Sequence, residues 1–130
     1  MSQAANFTIK DGASTPADVL FTNVQPAGGS LPATYYARSR GPMTASQPVI
    51  RTSSKGMQGK REVLHTVSVP YAVTGTDGVT KVVGSAFAEV RVVLPDTVPD
   101  TVRADLRAFV ANSCNSPQFV ESMTTGYAPN

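Results

Sequence analysis

The hydrophobic pattern of this chain changes period once, at the segment LPDTVPD, and that change restricts the fold more than any motif does. Before it, apolar residues alternate or cluster in short runs rich in Val, Ile, Thr, Tyr and Phe, bounded by Gly, Pro, Asp and Asn, which is the chemistry of strands and turns. After it they recur at helical spacing. Strands followed by helices predict an α+β fold, an antiparallel sheet with helices packed on one face. At 130 residues the chain suits one domain, with residues 1–30 as an N-terminal hairpin and turn, 33–95 as the sheet and 97–126 as two helices.

Turn residues divide the first part into segments. NFTIK and DVLFT flank DGASTPA and predict a hairpin whose turn is marked by Asp11 and Gly12. After the breaker QPAGGSLP come ATYYARS and QPVIRTSS, two more strands, and then KGMQGK, which has the composition of a loop. REVLHTVSVPYAV places Val63, His65, Val67 and Val69 on one face and Leu64, Thr66 and Ser68 on the other. Beyond the turn cluster TGTDGV lies the longest strand, TKVVGSAFAEVRVVLP. Its Val82, Ala86, Ala88, Val90, Val92 and Leu94 form an apolar row, while Phe87, Glu89, Arg91 and Val93 make a mixed one.

Helix signals are equally local. Thr97 with Asp100 three residues on has the form of a capping box, and Pro99 suits a first turn, so a helix is expected from near residue 98 to about Ser113. Val98, Val102, Leu106, Phe109 and Val110 give it an apolar stripe expected to cover the sheet. Ser116 before Pro117 opens a second helix through Phe119, Val120 and Met123, which Gly126 would end.

Composition excludes several classes of function. The lone Cys114 precludes an internal disulfide framework and suits a reducing cytoplasm, and it is expected to act as a small buried apolar residue. The N-terminal MSQAANFTIKDG holds no apolar run of signal-peptide length, and nowhere do about 18 apolar residues run together, so neither export nor membrane insertion is expected. His65 is the only histidine. On an apolar strand face its simplest role is that of a partnered structural residue, and no spacing supports a Cys-His nucleophile or a zinc site. The glycines match neither phosphate-binding fingerprint. No catalytic residue, metal or cofactor is expected, and the chain does not read as an enzyme.

Charge is sparse, 15% of residues, with a net +2, yet Arg38, Arg40, Arg51, Lys55, Lys60 and Arg61 fall in one stretch with no acid between them. If the polar strand faces form one surface, Arg51, Lys55, Lys60, Arg61, Thr66, Ser68 and Arg91 make a basic, hydroxyl-rich platform for a nucleic-acid backbone, with Phe87 and Tyr35 available for stacking. Ordinary solvated strand faces account for the same composition equally well.

Three stretches carry a resemblance that runs over essentially the whole chain. ANFTIKDG to DVLFT, VIRTSSKGMQGKREVLHTVSVP, and FAEVRVVLPDTVPDTVRADLRAFVANS resemble, in order and spacing, the coat proteins of single-stranded RNA bacteriophages of the levivirus type, and the terminal PQFVESMTTGYAPN is similar as well. The resemblance implies an N-terminal hairpin, a five-stranded antiparallel sheet and two C-terminal helices, in a homodimer with one continuous ten-stranded sheet. It implies an icosahedral shell in the virion, assembled in the host cytoplasm around the single-stranded RNA genome with a single-copy maturation protein, and no membrane partner. It also implies RNA contacts at Arg51, Ser53, Ser54, Lys55, Lys60, Arg61, Leu64, Thr66, Ser68, Phe87, Glu89 and Arg91, and repression of replicase translation through an operator hairpin. The chain departs from the family pattern at Gln47, Val49, Leu64 and Thr66, where small hydroxyl residues and a lysine are expected, and at Phe87, which stands for a tyrosine. The rival reading is a small dimeric α+β nucleic-acid-binding protein that forms no shell.

Overall fold

The computed structural model describes residues 4–28 and 31–129; Gly29 and Ser30 of the expected QPAGGSLP breaker lie outside the described residues. Two compact units divide the chain, one ending at Val93 and the other starting at Leu94. The first holds a six-stranded sheet in the order β1-β2-β3-β4-β5-β6, with β1 Phe7–Lys10, β2 Asp18–Gln25, β3 Ala33–Tyr36, β4 Val49–Met57, β5 Lys60–Thr74 and β6 Thr80–Pro95, whose last two residues fall past the boundary. The second carries α1 Asp100–Ser113 and α2 Pro117–Thr125. The hairpin, sheet and helices thus follow the order expected from the sequence. The hairpin and the four strands that follow it make up the sheet, and β5 runs unbroken for 15 residues through Pro70. Proline is tolerated there because β4 pairs no further than Val49 with Ser68, so from Val69 onward β5 has no β4 ladder to donate to.

Register fixes which side chains share a face. On one face lie Phe7 opposite Phe21, Tyr35 opposite Ile50, Ile50 opposite Val67, and Thr52 opposite His65. This is the apolar side: Val19, Phe21, Ala37 and Ile50 are buried together, with Phe7, Tyr35 and Val67 packed against them. Phe7 stacks on Phe21 with ring centroids 5.5 Å apart and meets Tyr35 edge-on at 4.9 Å, tying the hairpin to the sheet. A bulge between Asn23 and Gln25 interrupts the β2–β3 ladder, and the Asn23 amide donates to the carbonyls of Gln25 and Thr34 there.

The hairpin turn is held by Asp11, as its sequence suggests. One carboxylate oxygen accepts from the backbone N–H of Ala17 at 2.9 Å and of Ala13 at 3.2 Å, and the other binds the Arg40 guanidinium from the short 3-10 turn Arg38–Arg40. The Ala17 N–H, then Arg40, then the Ala13 N–H stabilise the ionised carboxyl and lower its pKa from 3.8 to about 2.

The first helix differs from expectation in how it begins. The Thr97–Asp100 capping box does not form: Asp96 and Thr97 sit in a turn closed by Val98 N–H to Pro95 C=O, and α1 starts at Asp100 after an extended Pro99 with no side-chain cap. The residue before a proline avoids helical geometry, which keeps Val98 out of the helix. α2 matches its signals, with Ser116 Oγ accepting from Phe119 N–H and Gly126 ending it in the left-handed region at φ 81°. Neither helix buries a residue: Phe109 is 68% and Met123 71% exposed, and Val102, Phe119 and Val120 are exposed too. Cys114, expected to be buried, is exposed for the same reason. Among the described residues, no helix is long and apolar enough to cross a membrane.

Two outcomes follow for stability. Phe21→Ala, in the small buried cluster, is expected to cost about 3–5 kcal/mol in urea unfolding at fixed protein concentration. Because the folded pKa of Asp11 lies below its unfolded value, its contribution is full above about pH 4 and lost as pH falls through about 2. Asp11→Asn should therefore flatten the acid limb of the stability curve.

Candidate nucleic-acid interface

The opposite sheet face is polar. Its rows, read across the strands, are Thr22, Tyr36, Val49 and Ser68; then Thr34, Arg51 and Thr66; then Ser53 with Leu64; then Lys55 with Glu62; and finally Met57 with Lys60. Arg51, Ser53, Lys55, Lys60, Thr66 and Ser68 therefore share one surface, as alternation predicts. Lys55 and Lys60 are there because KGMQGK is not a loop: β4 and β5 extend through it and join at a two-residue turn, Gln58–Gly59, whose positive φ of 73° falls on the glycine. The flanking residues Lys-Gly and Gly-Lys disguise this hairpin in the sequence.

Ser54 and Arg61 lie elsewhere. Ser54 opposes Val63 on the apolar face, and the Arg61 guanidinium donates to Ser54 Oγ at 3.3 Å on that same side. Glu62 is the residue that sequence reasoning omitted. Its carboxylate lies 3.3 Å from the Arg91 guanidinium, which also contacts Glu89 at 3.5 Å. That pair places Arg91 on the polar face, and alternation along β6 places Phe87 and Glu89 with it. Phe87 is 64% exposed, available for stacking. Tyr35 is not, because it points to the apolar side against Phe7. The interface therefore holds Arg51, Lys55, Lys60 and Arg91 against Glu62 and Glu89. The ion pairs among the described residues engage Arg91 alone of those four cations.

The remaining sequence candidates are structural. His65 shares a 2.8 Å hydrogen bond between Nδ1 and the Thr52 hydroxyl, in the row behind the polar face. Among the described residues no cluster of three His, Cys, Asp or Glu side chains is placed to hold a metal ion. An apolar groove of about 580 Å³ lies beside the hairpin on the other face, lined by Phe7, Phe21, Ile50, His65, Val67 and Val69 among others.

A two-faced antiparallel sheet followed by two helices, with cations gathered on the polar face, defines the class of α+β sheet proteins to which this fold belongs. The chain belongs to the levivirus coat proteins: that family's model matches residues 2–129. Solved structures agree in fold. The virus-like particle of bacteriophage NT-214 superposes with a TM-score of 0.90 at 19% identity, covering 99% of this chain and 100% of that one. The virus-like particle of bacteriophage ESE058 gives 0.85 at 20% over 99% and 100%, and the bacteriophage GA protein capsid 0.69 at 19% over 95% of each chain. No curated protein sequence matches the chain. The family is one of structural capsid proteins, whose place is the virus particle.

Because the Gln58–Gly59 turn positions both lysines, Gly59→Ala is expected to cost about 1–2 kcal/mol through backbone strain alone, there being no atom within 4 Å for the new Cβ to strike. Urea unfolding of the variant measures the loss.

Proposed function

We propose that this chain is a shell-forming subunit that pairs with a second copy through its apolar sheet face and long edge strand, and holds single-stranded RNA on its cationic face. The observation that carries the reading is the state of β6. It is 16 residues long and stands at the end of the strand order, with one neighbour within the chain. An edge of that length, left bare, is a template for uncontrolled pairing, and a second copy of β6 would satisfy it and yield one continuous sheet across two subunits. The apolar row Val82, Ala86, Ala88, Val90, Val92 and Leu94 is at most half-buried within the chain, and so is the apolar stripe of α1 and α2. In the proposed dimer each subunit's helices cover the partner's sheet, removing both apolar surfaces from water. Dimers then assemble into an icosahedral shell in the host cytoplasm, enclosing the RNA genome and a maturation protein. The levivirus family and the virus-like particles formed by its structural neighbours support this step.

For the RNA face, Arg51, Lys55 and Lys60 supply phosphate contacts, Ser53, Thr66 and Ser68 hydroxyls, and exposed Phe87 a stacking surface. Leu64 and Val49 interrupt the hydroxyl rows with apolar side chains. The proposed mode is accordingly a grip on the backbone, with repression through one operator hairpin secondary to it.

Expression of the chain alone, followed by size-exclusion chromatography and electron microscopy, should show uniform shells containing host RNA; a dimer that persists under all conditions would leave only the smaller nucleic-acid-binding role. Arg51→Ala should lower RNA content without preventing dimer formation and reduce the salt slope of RNA binding by about 0.7. Arg91→Ala should have a smaller effect, since Glu62 and Glu89 already neutralise it, and Glu62→Gln should raise affinity.

A further inference from the structure

Arg38 and Arg40 are two residues apart in the same basic stretch, yet the fold gives them different surroundings. Arg40 is taken up by Asp11 in the hairpin turn. Arg38 is exposed, meets no carboxylate in the ion pairs found among the described residues, and holds its guanidinium carbon 5.4 Å from the centre of the Tyr36 ring. Tyr36 opposes Val49, and Thr34 opposes Arg51, so Tyr36 and Arg51 are diagonal neighbours on the polar face. The cation on Tyr36 thus extends the phosphate-binding surface past Arg51 to the third strand.

The backbone on both sides of this pair is fixed. Ala37, between the two residues, is fully buried; its N–H donates to Pro48 C=O at 3.0 Å, and its C=O accepts from Arg40 N–H at 3.1 Å. A guanidinium lying on an aromatic face keeps its in-plane N–H groups free, and those form the fork that fits a phosphate. Held this way, the side chain has less rotamer freedom to lose on binding than a lysine on an open strand.

We infer that Arg38, stacked on Tyr36, is a further RNA-backbone contact, a preorganised phosphate fork at the β3 border of the cationic face. The inference rests on the proposed RNA-binding reading and adds to it a residue that the charge pattern counted but neither the strand-face platform nor the family resemblance included. Arg38 is the contacting residue and Tyr36 positions it.

Binding of the purified full chain to polyuridylate, measured over a range of salt concentrations, tests both levels. Arg38→Ala should weaken binding about fivefold and lower the salt slope by about 0.7, the loss of one phosphate contact on a single strand. Tyr36→Leu should weaken binding by about twofold with the slope unchanged, because the charge remains while its platform is gone, and Tyr36→Phe should leave both values as they are. Arg107→Ala, an equal loss of charge on α1, should change neither. The inference is overturned if Arg38→Ala binds like the wild type while Arg51→Ala does not, or if Arg107→Ala weakens binding as much as Arg38→Ala. Salt-independent or absent binding by the wild-type chain would overturn the RNA reading itself.

Discussion

A sheet with one apolar face has to put that face out of water, and here the hairpin does so only near β3 and β4. Val19, Phe21, Ala37 and Ile50 close around Phe7 and Tyr35, and that cluster accounts for most of the buried apolar residues. The long strands beyond it, and the stripes of both helices, carry further apolar side chains that stay exposed or half-buried. A chain of this length normally removes well over half of its surface from water on folding. Under the proposed pairing, a second copy would supply the cover that those residues lack within the chain.

The same geometry separates the two surfaces. Strand alternation sends Ile50, Thr52, His65 and Val67 to the apolar side and Arg51, Ser53, Thr66 and Ser68 to the polar side, so one ladder supplies both surfaces and a one-residue slip would exchange them. Register is therefore protected at several points: stacked Phe7 and Phe21, the Thr52–His65 hydrogen bond, and the glycine at the β4–β5 turn.

Much of this was legible in the sequence. Period-two patterning located all six strands, and proline and glycine punctuation placed α2 within a residue. The misses have physical causes. The capping box at Thr97 failed because Pro99 forces extended geometry just before α1, and a local motif carries no warning of that. KGMQGK looked like a loop because its lysines and glycines avoid strands, whereas pairing over nine residues of β4 overrides that preference. Ser54 belongs to the far face because it alternates with Ser53 along β4, and Arg61 because the two-residue turn fixes the parity of β5 after it. Glu62 escaped notice because a charge count along the chain stops at Arg61, whereas the ladder sets Glu62 beside Arg91, almost thirty residues away in sequence.

Past Ser68 the first unit narrows to a ribbon of two strands, β5 and β6, closed by Gly75 N–H to Val79 C=O and by a hydrogen bond between the Thr74 and Thr80 hydroxyls. A two-stranded ribbon has far less resistance to bending than a sheet with several ladders, and its bond energy is local to its own length. Mechanically it is a cantilever rooted at Ser68, with an apolar tip that includes Tyr71, Val73 and Val79. Such a lever can change its inclination while the aromatic cluster at its root stays as it is, so copies of identical sequence can meet differently placed neighbours through one compliant part.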